Sequence, residues 1–211
     1  YYQSKFIAHL EAYNKERAPF KLYEPIQYIL GLGGKRLRPT LTLMTTDCFD
    51  GDVSNALDAG LAIEVFHNFS LIHDDIMDKA PLRRGQKTVH EKWNLNTGIL
   101  SGDAMLIMAY KLFEGYNAKQ FQELTSLFSK TALQVCEGQQ YDIDFEARID
   151  ISMAEYLKMI EYKTAVLVAA AVQMGAIVAD ATKESQKKCY EFGRNLGIAF
   201  QIQDDFLDAF G

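Results

Sequence analysis

Apolar residues recur at intervals of three and four positions along much of the chain. Clear examples are Leu61, Val65, Phe66, Phe69 and Ile72 in one segment and Leu157, Ile160, Ala165 and Val168 in another. This spacing places the apolar side chains on one face of an α-helix. No segment shows a sustained alternation of apolar and polar residues, so no sheet is predicted. The pattern predicts an all-α protein.

Proline, glycine and capping residues indicate where the helices begin and end. No proline follows Pro81, so long helices are possible in the later part of the chain. Breaks that contain Asn, Gly or Asp fall near residues 50–52, 94–98 and 115–117. Ser152 and Glu155 have the spacing of a capping box, which predicts a helix start near residue 152. We expect a single domain over residues 1–211 with about eight helices.

Net charge and cysteine content exclude several classes of protein. A net charge of -6 leaves no basic excess for a phosphate backbone, so nucleic acid is not an expected partner. Cys48, Cys136 and Cys189 form no CxxC pair, which predicts reduced, mostly buried thiols and neither disulfides nor a zinc site.

The most apolar stretch, residues 165–179, contains Gln173 and is shorter than the roughly 20 residues that a membrane-spanning helix needs. It is predicted to be a buried core helix, and the chain is not expected to span a membrane. The first residues show no signal-peptide pattern, so we expect a cytoplasmic protein.

Three aspartates, Asp74, Asp75 and Asp78, lie within five positions. On a helix, Asp74 and Asp78 are about 40° from alignment, whereas Asp75 is turned about 100° from Asp74. Like charges four residues apart repel each other, and a bound cation would reverse the sign of that interaction. Magnesium prefers such oxygen ligands and takes one or two carboxylates together with substrate phosphates. A solvated acidic helix end is the alternative.

A second cluster, Asp204, Asp205 and Asp208, repeats this spacing within another apolar helical pattern. Two such clusters on separate helices favour metal binding over a solvated helix end. We expect them to face each other and to hold Mg²⁺ between them.

Basic residues form two further motifs. GGKRLRP at residues 33–39 places three cations after two glycines, and Arg83 and Arg84 precede Gly85. Glycine lets the backbone approach a ligand, and lysine and arginine suit phosphate oxygens, although a solvated basic loop is the alternative. The four motifs predict two phosphorylated groups, one bound through metal and one bound directly. The arginines are therefore not expected to neutralise the aspartates.

Five motifs together resemble the trans-isoprenyl diphosphate synthases, also called polyprenyl synthetases. They are GGKRLRP, HNFSLIHDDIMDKAPLRRG, GQQYD at 138–142, YKT at 162–164 and FQIQDDFLD. The resemblance covers nearly the whole chain. It implies an antiparallel helical bundle of the isoprenoid synthase type with a central cavity. It also implies a prenyltransferase that joins isopentenyl diphosphate head-to-tail to an allylic diphosphate.

The same resemblance implies roles for individual residues. The ligands of three Mg²⁺ ions bound with the allylic diphosphate would be Asp74, Asp78 and Asp204, supported by Asp75 and Asp208. The allylic diphosphate would contact Arg83 and Lys163, with Thr164 and Gln201 near its reacting end. The isopentenyl diphosphate pocket would contain Lys35, Arg38, His67 and Arg84. The cavity would also be lined by Gln139 and Asp142.

Product length in the resembled family depends on side-chain bulk upstream of the first aspartates. Phe69 is an aromatic residue five positions before Asp74, and Ser70 beside it is small. One helical turn, about 5.4 Å, is comparable to one isoprene unit, so the Phe69 ring could set a floor for the growing tail. We predict a short C15–C20 product, with geranylgeranyl favoured over farnesyl diphosphate.

Two other functions are considered. A class I terpene cyclase would share one aspartate motif but would not need GGKRLRP. A non-catalytic partner subunit would be expected to lack one aspartate motif.

Members of the resembled family continue past the second aspartate motif, so we expect that C-terminal helices are missing from this sequence. The resemblance also implies a homodimer.

Overall fold

The computed structural model describes all 211 residues and is almost entirely helical. Its α-helices are α1 Tyr2–Tyr13, α2 Phe20–Gly31, α3 Leu37–Cys48, α4 Leu57–Met77, α5 Val89–Lys92, α6 Leu95–Lys111, α7 Ala118–Glu146, α8 Met153–Ile160, α9 Val166–Val178 and α10 Lys183–Phe210. A 3-10 turn, Val53–Ala56, precedes α4, and a π-helical turn, Glu161–Ala165, joins α8 to α9. The predicted all-α class is confirmed.

The predicted helix boundaries agree with the structure in most places. Ser152 accepts a hydrogen bond from the Glu155 N–H, and the Glu155 side chain returns a bond to the Ser152 N–H, which completes the capping box before α8. The break predicted at 94–98 is shorter than expected, because Asn94 already caps α6 through the Thr97 N–H. Since α5 is a single turn and α8 continues into α9, the long helical segments number about eight, as predicted.

One small β-hairpin was not predicted. Strands β1, Leu82–Arg83, and β2, Gln86–Lys87, pair antiparallel. Arg84 and Gly85 form the turn with φ angles of 52° and 73°. Two consecutive positive φ values are typical of the tight turns that join hairpin strands. The strands are too short to produce a readable alternation of apolar and polar residues.

Contacts divide the chain into two compact units, and each is described separately. Unit 1 contains residues 1–40 and 57–115. Its central helix is α4, which packs against α1, α2 and α6. The side chains that fill this core include Phe6, Ile26, Leu61, Phe66, Ile72 and Met105.

Unit 2 contains residues 41–56 and 116–211, with α9 as its central helix. Every α9 residue except Gln173 is buried, which confirms the predicted core helix. The helical run Met153–Val178 is long and apolar enough to cross a membrane, but 72% of its most apolar window is buried inside the protein. This burial is typical of a core helix.

All three cysteines are free, as predicted. The prediction that they are mostly buried is wrong, because Cys48 and Cys136 are exposed and Cys189 is partly exposed. Cys48 is the last residue of α3, Cys136 lies on α7 and Cys189 lies on α10.

Close packing of α9 against α3 in unit 2 depends on a glycine. A Cβ atom at Gly175 would collide with the Thr42 carbonyl oxygen and would lie 2.8 Å from Thr45 Cβ. We predict that Gly175→Ala lowers the free energy of unfolding by about 1–3 kcal/mol, because the helices must separate to admit the methyl group. Urea denaturation would measure the change.

Gly31 at the end of α2 is the matched control, because no atom lies within 4 Å of a Cβ built there. Gly31→Ala should leave the unfolding free energy unchanged or slightly raised. Equal destabilisation by the two substitutions would contradict the steric explanation.

Candidate functional site

The first aspartate cluster lies at the C-terminal end of α4. The Asp78 N–H donates to the Asp74 carbonyl oxygen at 2.9 Å, so helical spacing continues one residue beyond the helix. The Asp74 side chain is 21% exposed and Asp78 is exposed. The structure therefore places the two predicted metal ligands on one face of a helix end.

Asp75 lies outside this pair, and its side chain is only 1% exposed. Arg83 Nε donates to its two carboxylate oxygens at 2.9 and 2.8 Å, and Arg83 Nη2 donates to Oδ1 at 2.7 Å. Burial lowers the pKa of Arg83, but bonding to Asp75 outweighs this effect and the pKa is raised. The expectation that the arginines do not neutralise the aspartates is thus wrong for Arg83.

Three of the predicted phosphate-binding residues lie together in unit 1. Arg38 Nη1 and His67 Nε2 are 3.2 Å apart. Burial, followed by the charges of Arg38 and Arg84, lowers the pKa of His67 well below its usual value. Because arginine only donates hydrogen bonds, a neutral His67 accepts at Nε2. The result is a cationic cluster with a neutral histidine.

Arg84 lies against the glycine loop. Its guanidinium donates to the Gly33 carbonyl oxygen, and a Cβ at Gly34 would be 3.0 Å from that guanidinium. Gly34 also has a φ of 126°, a conformation that other residues rarely adopt. Lys35 follows with an exposed side chain, and its carbonyl accepts a bond from Gln3 Nε2 at 3.0 Å.

The second cation of GGKRLRP has a structural role. Arg36 is buried, forms an ion pair with Glu64 and donates to the Leu30 carbonyl oxygen at 2.5 Å. Of the three cations in this motif, only Lys35 and Arg38 are predicted to bind phosphate. Glu64 was missed by sequence reasoning, although an acidic residue within the apolar run AIEVF was a usable signal.

In unit 2, Lys163 and Thr164 lie on the π-helical turn between α8 and α9. A Cβ at Gly138 of α7 would collide with the Lys163 backbone nitrogen, so the missing side chain allows this close approach. Lys163 Nζ is 2.6 Å from Asp142 Oδ2. Gln139, next to Gly138, is partly buried. Such π-helical turns occur often at functional sites.

The second aspartate cluster is held by hydrogen bonds within unit 2. Tyr156 OH donates to Asp205 Oδ2 at 2.6 Å, and Gln201 Nε2 donates to Asp205 Oδ1 at 2.8 Å. Thr164 Oγ1 donates to Gln201 Oε1 at 2.9 Å. Burial and the bond to Asp205 raise the pKa of Tyr156 to about 12. Tyr156 was another residue that sequence reasoning missed.

The two clusters thus fix their middle aspartate in similar ways. The first and last aspartates supply the remaining carboxylates: Asp74 and Asp78 in unit 1, and Asp204 and Asp208 in unit 2. No three His, Cys, Asp or Glu side chains in residues 1–211 lie close enough to bind a metal by themselves. Magnesium commonly takes one or two carboxylates and completes its shell with water and phosphate oxygens, so these donor sets fit it.

Comparison with known proteins identifies the family of this chain. The sequence profile of the family described as polyprenyl synthetase matches residues 19–211. The chain belongs to the polyprenyl synthetase family.

Relatives within the polyprenyl synthetase family include proteins with different named products. A geranylgeranyl diphosphate synthase from Methanosarcina mazei is 41% identical over 192 residues, which are 90% of this chain and 59% of that protein. A geranylfarnesyl diphosphate synthase from Natronomonas pharaonis is 41% identical over 208 residues, covering 90% of this chain and 61% of that protein.

A crystal structure of a geranylgeranyl pyrophosphate synthase superposes with a TM-score of 0.97 at 56% identity. The match covers 99% of this chain and 64% of the other. This polyprenyl synthetase chain therefore spans about three fifths of the length of these relatives. The isoprenoid synthase fold predicted from the sequence is confirmed.

The buried ion pair beneath the basic loop gives a stability prediction. Glu64→Gln should lower the free energy of unfolding by about 3–5 kcal/mol, because Arg36 would remain buried without an opposite charge. Chemical denaturation would measure the loss.

The exposed pair Lys111–Glu114, separated by 3.7 Å, provides the comparison. Glu114→Gln should change the unfolding free energy by less than about 1 kcal/mol because water screens exposed charges. Similar losses at both sites would show that the buried pair is not a special support of the loop.

The lowered pKa of His67 predicts a pH dependence of stability. The unfolded chain binds a proton at His67 near the ordinary pKa of about 6.5, whereas the folded protein resists it. Stability contributed by neutral His67 should be present above that pH and decrease as the pH falls towards the folded-state pKa. NMR of labelled histidine should show the His67 ring unprotonated between pH 8 and 6.

The variant His67→Gln lacks this titrating group and should lose less stability than the native protein between pH 7 and 5. A His67 resonance that titrates near 6.5 in the folded protein would disprove the assignment.

Proposed function

We propose that the protein joins isopentenyl diphosphate to an allylic diphosphate and releases a trans-prenyl diphosphate of 15 to 20 carbons. The observation that carries the proposal is the combination of two equally organised aspartate clusters with a separate cationic pocket. The pocket gives direct contacts to one diphosphate, and the clusters provide metal-mediated contacts to the other. The family to which the chain belongs and the names of its relatives support this division.

In this proposal Asp74, Asp78 and Asp204 are ligands of three Mg²⁺ ions that bind with the allylic diphosphate, and Asp208 supports them. Bound Mg²⁺ would supply positive charge to the leaving diphosphate. Lys163 would contact the same diphosphate from the π-helical turn, oriented by its ion pair with Asp142. Arg83 would contact the diphosphate through Nη1, which makes none of the hydrogen bonds to Asp75.

The cationic pocket would bind isopentenyl diphosphate through Arg38, Arg84 and Lys35. His67 is neutral and accepts from Arg38, so its role is to orient that guanidinium and to offer its other ring nitrogen to a phosphate oxygen. Arg38 and Arg84 both lie near His67 and concentrate positive charge there, while the nearby Glu64 carboxylate, paired with Arg36, offsets part of it.

The reaction would begin when the carbon–oxygen bond of the allylic diphosphate breaks and both bonding electrons leave with the diphosphate. The double bond of isopentenyl diphosphate then attacks the allylic cation and forms the new carbon–carbon bond. Loss of a proton to the released diphosphate restores a double bond. Thr164 and Gln201, which are hydrogen-bonded to each other at 2.9 Å, would place their polar side chains near the reacting carbon.

Geranylgeranyl diphosphate is the favoured product. Relatives with equal identity to this chain are named for geranylgeranyl and geranylfarnesyl products, so product length depends on local residues. Phe69 is partly buried, and Ser70 Oγ donates to the His67 carbonyl oxygen at 2.8 Å. The Phe69 ring would block further growth of the prenyl tail.

We further propose a cytoplasmic homodimer. Leu100 and Ile107 of α6 are 60% and 61% exposed, and apolar side chains of this size would be covered by a second copy. Light scattering of the purified protein would measure the mass of the assembly, and a monomer at micromolar concentration would refute this part.

Incubation with labelled isopentenyl diphosphate and an allylic diphosphate tests the activity. The proposal expects Mg²⁺-dependent incorporation of label into a prenyl diphosphate, and Asp204→Asn should abolish it. Release of a cyclic hydrocarbon without isopentenyl diphosphate would instead indicate a terpene cyclase. Absence of turnover until another subunit is added would indicate a non-catalytic partner.

We predict that Phe69→Ala lengthens the main product by at least one isoprene unit, because removing the ring opens space for the tail. Chromatography of the dephosphorylated products would measure their length. Phe192→Ala removes an exposed ring of α10 and should leave the product unchanged. Unchanged products with Phe69→Ala would refute the floor.

A further inference from the structure

The ring of His73 lies in a narrow space between α4 and α6 in unit 1. A Cβ atom at Gly102 of α6 would collide with His73 Nε2 and would lie 2.7 Å from His73 Cδ2. His73 Nε2 is also 3.3 Å from the Ile99 carbonyl oxygen and 3.9 Å from Asp103 Oδ1. The imidazole is thus held against the α6 backbone at a place where only glycine leaves room.

The other side of the His73 ring contacts Phe69. Their ring centroids are 4.8 Å apart with an interplanar angle of 65°, an edge-to-face arrangement. Phe69 in turn packs against Phe66 at 5.4 Å, and Phe66 is 1% exposed. Phe69 is therefore enclosed between a fixed aromatic ring and an imidazole that α6 holds in place.

We infer that His73 is a positioning residue that determines product length through Phe69, and that Gly102 provides the space in which His73 is held. This inference rests on the proposed function, in which Phe69 is the floor. A floor made of one ring is effective only if that ring keeps one orientation. Edge-to-face contacts favour such a fixed orientation.

The position of His73 fits the positioning role better than a direct role in the prenyl transfer reaction. On α4 it is turned about 100° from Asp74, and its Nε2 is directed to the α6 backbone. A purely structural role, in which His73 only fills space between helices, is the alternative. The two roles differ because only the positioning role requires Phe69 to be present.

The experiment compares His73→Ala and Gly102→Ala with a matched control, Gly98→Ala. Gly98 lies one turn earlier on α6 and contacts α4 in the same way, with a Cβ position 2.9 Å from Ile76 Cδ1, but it does not touch His73. The readout is the ratio of longer to normal-length products, and circular dichroism verifies that each variant is folded.

Loss of one edge-to-face contact should raise the proportion of longer products about three- to tenfold in His73→Ala and in Gly102→Ala. Gly98→Ala should leave the ratio unchanged even if it lowers stability. In the Phe69→Ala background, His73→Ala should cause no further change, because its effect passes through the missing ring.

The outcomes separate this inference from the proposed function. If the native protein makes no prenyl diphosphate, the proposed function fails. If Phe69→Ala lengthens the products but folded His73→Ala and Gly102→Ala do not, the inference alone is overturned. An equal shift with Gly98→Ala, or an additional shift in the double variant, would also overturn it, because both results indicate general loosening of the helices.

Discussion

Carboxylates crowded onto one turn of a helix repel one another, and the arrangement of each aspartate cluster depends on how that repulsion is relieved. In both clusters the middle aspartate bonds to other side chains and does not act together with the first and last aspartates. Asp75 is buried against the guanidinium of Arg83, and Asp205 accepts hydrogen bonds from Tyr156 and Gln201. The first and last carboxylates of each cluster are the ones that we propose as magnesium ligands. The middle aspartate is thus held in both clusters, but by different partner residues.

Basic residues in each unit are organised by a second constraint, which is the close approach of backbone and side chain at glycines. Gly34 leaves space for the Arg84 guanidinium, and Gly138 leaves space for the turn that carries Lys163. Beneath the basic loop, Arg36 and Glu64 form an ion pair that is shielded from water. These supports do not need to touch a substrate. They hold in place the residues that we propose to contact substrate. Such rigidity is what a preorganised electrostatic site requires.

Membership in the polyprenyl synthetase family explains why the fold and the two motifs occur together. It does not determine product length, because relatives of equal identity are named for products that differ by one isoprene unit. In this chain the aromatic rings of Phe66, Phe69 and His73 on α4, with Gly102 on α6, form the local feature that we propose to set product length.

The amino-acid sequence by itself determined the helical class, the core position of α9, the capping box at Ser152 and the identity of the aspartate and basic motifs. These features follow from periodicity and residue type within a few turns of helix, so neighbouring residues are sufficient to define them.

Only the tertiary structure decided which charges are paired. Arg36 and Arg38 have the same charge in the same motif, yet one is buried against Glu64, 28 positions away, and the other contacts His67. The structure likewise assigned Arg83 to Asp75, formed the π-helical turn at Lys163 and linked Tyr156 to Asp205 over 49 positions. These pairings depend on burial and on distances between segments remote in sequence, and no local pattern encodes either quantity.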